Sequence, residues 1–457
     1  MAQLLAPVFG LGTDGDLLIS GDTTDSPIDS ACTGTISTTS LSATNASFAA
    51  GQIIIIHQTK GASGTGNWEL NQIASYSVGT ITLRYPLVTG FVSGAQVMVV
   101  KQYRSFTVNS GINFYAKAYD GTVGGIMMFL IQGKMSIVGN LKLNGRGFRG
   151  GLEDTSGNDW GGKGGEGLAG VSGQGGWNGS TEAGGFPSGG GKGTSGGGTS
   201  AGGATGTNYT GGGGGGGDAN SGNDEAAGGG GGGGHRYGGG GGGSGTDSAG
   251  AGGLGGASNS VGGGDGGGNG ANVAGAASGS QSTNQSGVGG IGQNGAGLNG
   301  GGGGGGANAL TQSDLSKIFM GGGGGAGGRY NSGVYGVAGG DGGNGGAIGI
   351  FYANTISFTG LVEFYGDNGT VRSAGGGGGA GGAGGSLFLR GNYVDVGSNR
   401  ATGYGGSGGQ PSHGGDGGYG SEGMCRIEAN TIVGTTNPTF NQAIGGLSWQ
   451  GKLGPSA

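Results

Sequence analysis

The three histidines, His57, His235 and His413, stand far apart in unlike contexts, and no two carboxylates share a motif. The chain therefore offers no general acid–base pair and no nucleophile with an adjacent base. No Cys/His group has the spacing of metal ligands. Asp14-Gly15-Asp16 carries a faint calcium signature, but Asp-Gly is more often a turn. The glycine runs are not phosphate loops, because none follows a strand and ends in Gly-Lys-Ser/Thr. The expectation is a protein that is not an enzyme and uses no metal or cofactor.

Binding chemistry is better represented. Between the glycine runs stand Trp160, Trp177, Phe186, Tyr209, the trio His235-Arg236-Tyr237, Arg329-Tyr330 and Tyr335, followed by Tyr404, His413 and Tyr419. Aromatic side chains with Arg, held at loop tips on a rigid scaffold, bury large areas at low entropic cost. Trp160, Trp177, Tyr209, His235, Arg236, Tyr237, Arg329, Tyr330 and Tyr335 are the candidate receptor contacts. The same residues could instead cap the scaffold and shield bare backbone from water.

The scaffold that must position them is unusual. Gly accounts for 140 of 457 residues, against about 7% in ordinary proteins. Ordering that many glycines costs on the order of 200 kcal/mol at ~1–2 kcal/mol each, which no side-chain core in a glycine-rich region offsets alone. A flexible Gly/Ser linker is the simplest reading. Against it stand tracts of similar length, such as Gly211 to Gly217, Gly228 to Gly234 and Gly300 to Gly306, and a recurrent triplet. The triplet runs Gly339-Gly340-Asp341-Gly342-Gly343-Asn344 and Gly378-Gly379-Ala380-Gly381-Gly382-Ala383. Three residues is the period of the polyproline II helix, which rises about 3.1 Å per residue. Seven prolines in the chain exclude collagen. Bare helices of this kind can pack side by side, each backbone N–H reaching a neighbour's carbonyl at roughly 0.5–1.5 kcal/mol net.

Outside the tracts the pattern is β. Strand-like stretches are Asp16 to Ser20, Gln52 to His57, Thr80 to Leu83 and Ala95 to Val100, with turn residues between them. One short amphipathic helical turn is expected within Leu310 to Met320. A weak repeat begins at Gly124-Gly125-Ile126, recurs at Gly345-Gly346-Ala347 and Gly384-Gly385-Ser386, and closes with Met424-Cys425-Arg426. Each copy holds short strands joined by Gly or Asn, as a solenoid rung does; unrelated hairpins of a sandwich are the alternative. The expected fold class is mainly β: an N-terminal β-domain and β-solenoid-like rungs with a large polyglycine II helix bundle inserted. The expected domains are 1–145 for attachment and assembly, 146–344 for the glycine-rich bundle and its loops, and 345–457 for strand repeats with further tracts.

A net charge of −6 with 10% charged residues argues against nucleic acid as a partner. No apolar run approaches the ~20 residues of a membrane span, and the N-terminus lacks a secretory pattern. Cys32 and Cys425 are no disulfide framework; they read as two free thiols, or as a bridge tying the ends.

The glycine tracts and their inserts over roughly 146–420 resemble the receptor-binding adhesins at the tail-fibre tips of T-even-like bacteriophages. In that family a small attachment domain precedes a sandwich of polyglycine II helices whose distal loops recognise outer-membrane proteins or glycans. Insect polyglycine antifreeze proteins share such helices. This chain is longer, its N-terminal β-region is larger, and strand repeats flank its tracts on both sides. The resemblance implies a virion attachment protein that binds a bacterial surface protein or glycan. Residues 1–145 would meet neighbouring virion or filament subunits in a multimeric assembly. A structural subunit of an extracellular filament or cell-surface layer is the alternative, and ice binding a third.

Overall fold

The computed structural model describes residues 8–152 apart from 62, then 164–168, 315–327, 339–372, 377–411 and 416–444, and the backbone of four two-residue strands. Regular structure in these residues is all strand, so the chain is mainly β.

The strands Ile126–Ile137, Ile348–Phe358, Ser386–Thr402 and Met424–Asn437 lie side by side and parallel, with Ile126 opposite Ile348, Ile348 opposite Ser386, and Ser386 opposite Met424. These are the four sequence copies, brought into one register. The Asn354, Asn392 and Asn430 side chains hydrogen-bond in a ladder whose steps are 38 residues long, at 2.6 and 3.1 Å. Each copy then turns into a second parallel row, in which Asn113–Tyr115, Asn140–Lys142 and Leu361–Glu363 are neighbours. Side chains alternate between faces along a strand. Met127, Phe129 and Ile131 point into one core with Phe106, Phe114, Leu141 and Phe351. Ile126, Met128 and Leu130 point into another with Ile348, Ile350 and Phe388. Burial on both faces explains why these strands read as continuous apolar runs.

Within the N-terminal region, Asp29–Gly34, Ser40–Ser42, Thr80–Leu83, Trp68–Ser77, Ile53–Gln58 and Phe91–Val99 close, in that spatial order, into an antiparallel barrel. Its interior holds Leu41, Ile54, Ile56, Ile73, Ile81, Phe91 and Val97. Ile53, Ile55, Trp68 and Met98 face outward and join the second core of the parallel sheet, so the barrel is docked on that sheet. Cys32 lies in the barrel core and Cys425 in the sheet core, both as free thiols; no bridge ties the ends.

The described glycine tracts belong to no strand, yet their backbones are paired, always three residues apart. Gly340, Gly343 and Gly346 donate to the carbonyls of Gly377, Ala380 and Ala383. Gly379, Gly382 and Gly385 donate to Thr370, Asp367 and Phe364. Ala380 and Ala383 donate to Gly325 and Gly322, while Gly381 and Gly384 donate to Gly418 and Ser421. The tract around Ala380 is thus bonded to segments on several sides at once. The approach requires Gly: a Cβ on Gly379 would strike the Asp341 carbonyl, and one on Gly381 the Gly406 carbonyl, whereas Ala380 and Ala383 fit and are fully buried.

The helical turn expected within Leu310 to Met320 is absent from its described part. Leu315 to Met320 is non-helical, because its backbone groups pair with the barrel: the Ile318 N–H donates to the Gly66 carbonyl at 3.0 Å.

Candidate functional site

Of the candidate receptor contacts, Trp160, Trp177, Tyr209, His235, Arg236, Tyr237, Arg329 and Tyr335 lie outside the described residues, as do Phe186 and His413. Tyr330 is placed by its backbone alone, in the strand Tyr330–Asn331 paired antiparallel with Gly336–Val337. Tyr404 is 44% exposed, and its hydroxyl accepts a hydrogen bond from Asn437 Nδ2 at 3.0 Å. Asp14 and Asp16, the faint calcium signature, are engaged by protein: Asp14 by Lys101 and the Gln102 N–H, Asp16 by Arg104 and Ser105.

What the structure does define is the base from which residues 169–314 leave and to which they return. Both arms are fixed to the barrel. On the outgoing arm, the Gly61 N–H donates to the Leu168 carbonyl at 3.1 Å. Glu166 is wholly buried between two cations, Lys60 Nζ at 3.1 Å and Arg149 Nε at 2.9 Å. A carboxylate buried so completely is stable only because it is paired and hydrogen-bonded.

On the returning arm, Leu315, Ile318, Phe319 and Met320 are buried against the barrel and the sheet. The Trp68 indole N–H donates to the Leu315 carbonyl at 3.2 Å. The Ser386 hydroxyl donates to the Phe319 carbonyl at 2.8 Å. Gly66 has φ +82°, and a side chain there would collide with the Phe319 ring. His57 is fully buried, with Nε2 2.9 Å from the Ile318 carbonyl and Nδ1 2.9 Å from Thr59 Oγ1. Burial holds its imidazole well below the ordinary value, at about 4, and the bond to Ile318 raises it only in part.

Sequence reasoning missed these anchors. The available signals were the polar His57 ending a run of four isoleucines, and the acidic Glu166 closing a glycine triplet; each found its partner only through the tertiary fold.

The barrel also carries an open cleft of about 680 Å³, lined by Thr33, Ile36, Ser40, Ser42, Phe91 and Val92 among others. Its lining has hydroxyls and apolar groups but no charged side chain, so it offers hydrogen bonds to a neutral ligand and no group for acid–base chemistry. Among the described residues no cluster of His, Cys, Asp and Glu converges as metal ligands, and no helix is long and apolar enough to cross a membrane.

No known family matches the sequence, and no curated protein matches it. Among solved structures the chain is similar to the Gp54 tailspike of Acinetobacter baumannii bacteriophage AP22 in complex with A. baumannii capsular saccharide. Identity is 14% and the TM-score 0.17, over 28% of this chain and 24% of the tailspike. The match thus spans about a quarter of that tailspike.

Proposed function

We propose that the chain is a non-enzymatic attachment protein of a phage tail fibre or tail tip, binding a bacterial surface protein or glycan through loops on a polyglycine II scaffold. The observation that carries this reading is the three-residue step with which the glycine tracts bond one another through backbone alone, as from Gly340, Gly343 and Gly346 to Gly377, Ala380 and Ala383. Helices of three residues per turn, packed without side chains, give that step. The strand copies stacked in register at Ile126, Ile348, Ser386 and Met424 support a β-solenoid as the core on which the bundle grows.

The anchored arms support a presenting role. They fix where the Gly-rich span starts and ends, while the aromatic and Arg inserts within it supply recognition chemistry. Individual loops bind weakly, and several copies on one particle supply avidity. Residues 1–145 would join the protein to its neighbours.

The test is fluorescently labelled protein incubated with a panel of bacteria, beside a variant carrying His235→Gly, Arg236→Gly and Tyr237→Gly. Strain-selective binding that the variant loses supports the reading and places the contact. Absence of binding to every strain, with fibres seen by negative-stain microscopy, replaces it with a filament subunit.

A further inference from the structure

The two arms are held by different chemistry: the outgoing one by charge, through Lys60, Glu166 and Arg149, and the returning one by a neutral imidazole. The protons in the second anchor can be assigned. A carbonyl only accepts, so the Ile318 oxygen requires the hydrogen of His57 on Nε2. Bare Nδ1 then accepts from the Thr59 hydroxyl. Thr59 Oγ1 accepts from Gln96 Nε2 at 2.8 Å, Gln96 Nε2 also donates to the Gly124 carbonyl at 3.0 Å, and the Gly124 N–H returns a bond to Gln96 Oε1 at 2.8 Å. The network is complete with one proton on the ring. A second would displace the Thr59 donor and place a charge in a fully buried site.

Among the described residues no carboxylate is paired with that ring. The ring's neighbours on the barrel strands are its register partners Trp68 and Gln96. On the arm, Lys317 beside Ile318 is a cation and supplies no counter-charge, and three charged groups on or near the barrel strands are committed elsewhere. Lys60 is bound to Glu166 and the Gly121 carbonyl, Glu69 to the Val88 and Thr89 N–H groups, and Lys117 to Asp29.

We propose that His57 is a positioning residue that works as an acid-operated latch on the returning arm: a second ring proton frees Leu315 to Ile318 from the barrel while the outgoing arm stays bound. The inference holds whatever the intervening span binds. The sign follows from linkage. Burial beneath the closed arm holds the ring at about 4, and release from that burial would return it toward its ordinary 6.5. Opening is therefore favoured as pH falls from about 6.5 to about 4, by about tenfold per pH unit, and is constant above that window. Asp25 and Asp416, raised by burial to about 6 and about 7, act in the opposite direction on global stability, so the readout must be local.

The experiment is amide hydrogen exchange of the full chain between pH 7 and pH 4, corrected for intrinsic rates, on wild type and His57→Gln. Gln keeps a donor for Ile318 and cannot take a proton. The expected result is loss of protection in 315–320 by about tenfold per unit below pH 6.5, with the 126–137 strand unaffected, and no such slope in the variant. A flat wild-type profile, loss shared with the barrel strands, or an unchanged slope in the variant overturns the proposal. If the variant does not fold, NMR of the wild-type imidazole nitrogens decides. A hydrogen fixed on Nε2 with titration near 4 supports the latch; titration near 6.5 overturns it.

Discussion

The Gly382 N–H donates to the Asp367 carbonyl at 3.0 Å, and the same bond recurs three residues away on each side, at Gly379 and Gly385. That relationship makes glycine obligatory at some triplet positions and dispensable at others. Gly379→Ala drives a Cβ into the Asp341 carbonyl and is expected to destabilise by roughly 1–3 kcal/mol, the range for overpacking. Ala380→Gly deletes one buried methyl and is expected to cost about 1 kcal/mol. Urea unfolding of both variants checks the order. Gly379→Ala with no loss of stability would mean that the tracts do not pack as described.

The second prediction concerns a buried ion cluster on the parallel sheet. Glu428 is 2% exposed and binds Arg390 at 2.6 Å and Arg426 at 2.9 Å; Arg390 is 3% exposed and lies over the Tyr352 ring at 4.7 Å. Glu428→Gln removes the negative charge between two guanidinium groups. The expected loss is about 3–5 kcal/mol, read as a lower unfolding midpoint at an unchanged denaturant slope.

Both thiols should be silent in the folded protein. Burial pushes the Cys425 thiol up to about 12 and raises Cys32 as well, and the thiolate is the reactive form. Iodoacetamide at pH 8 is expected to leave the native chain unmodified and to add two groups once it is unfolded, counted by mass spectrometry. A native chain that takes up label at either cysteine would contradict the burial described.

How much of this was legible in the sequence varies with the range of the interaction. The strand copies at Gly124, Gly345, Gly384 and Met424 could be aligned because each repeats its own apolar pattern, and the fold pairs them in that order. The glycine triplets announced their step because it is local. Closure of the barrel was not legible, because Asp29–Gly34 meets Phe91–Val99 across the 56 positions of residues 35–90 and neither strand encodes its partner. The returning arm looked like an amphipathic turn because Leu315, Ile318 and Phe319 share a helical face; the barrel instead takes its hydrogen bonds at Gly66, His57 and Trp68. The aromatic inserts were visible at once, and eight of the nine chosen contacts lie outside the described residues.

The arms also set where the chain can be cut. Residues 315–327 and 339–344 are bonded into the sheet and the tracts, so a deletion of 150–344 would remove part of the core. Removing 170–313 and joining Ala169 to Asp314 by a short Gly/Ser linker spares both anchors, since the neighbouring Leu168 and Leu315 belong to one buried cluster. This shortened chain is expected to keep its strand circular dichroism and to unfold within a few degrees of the full chain.

Attachment of that chain to bacteria tests the central claim most directly. Full-length protein and the 170–313 deletion, both labelled, would be compared on a panel of strains by flow cytometry. The account predicts strain-selective binding by the full chain and none by the folded deletion. Equal binding by both would contradict a receptor contact within 170–313 and leave it to the retained Trp160, Arg329, Tyr330 and Tyr335, or to the barrel or the sheet.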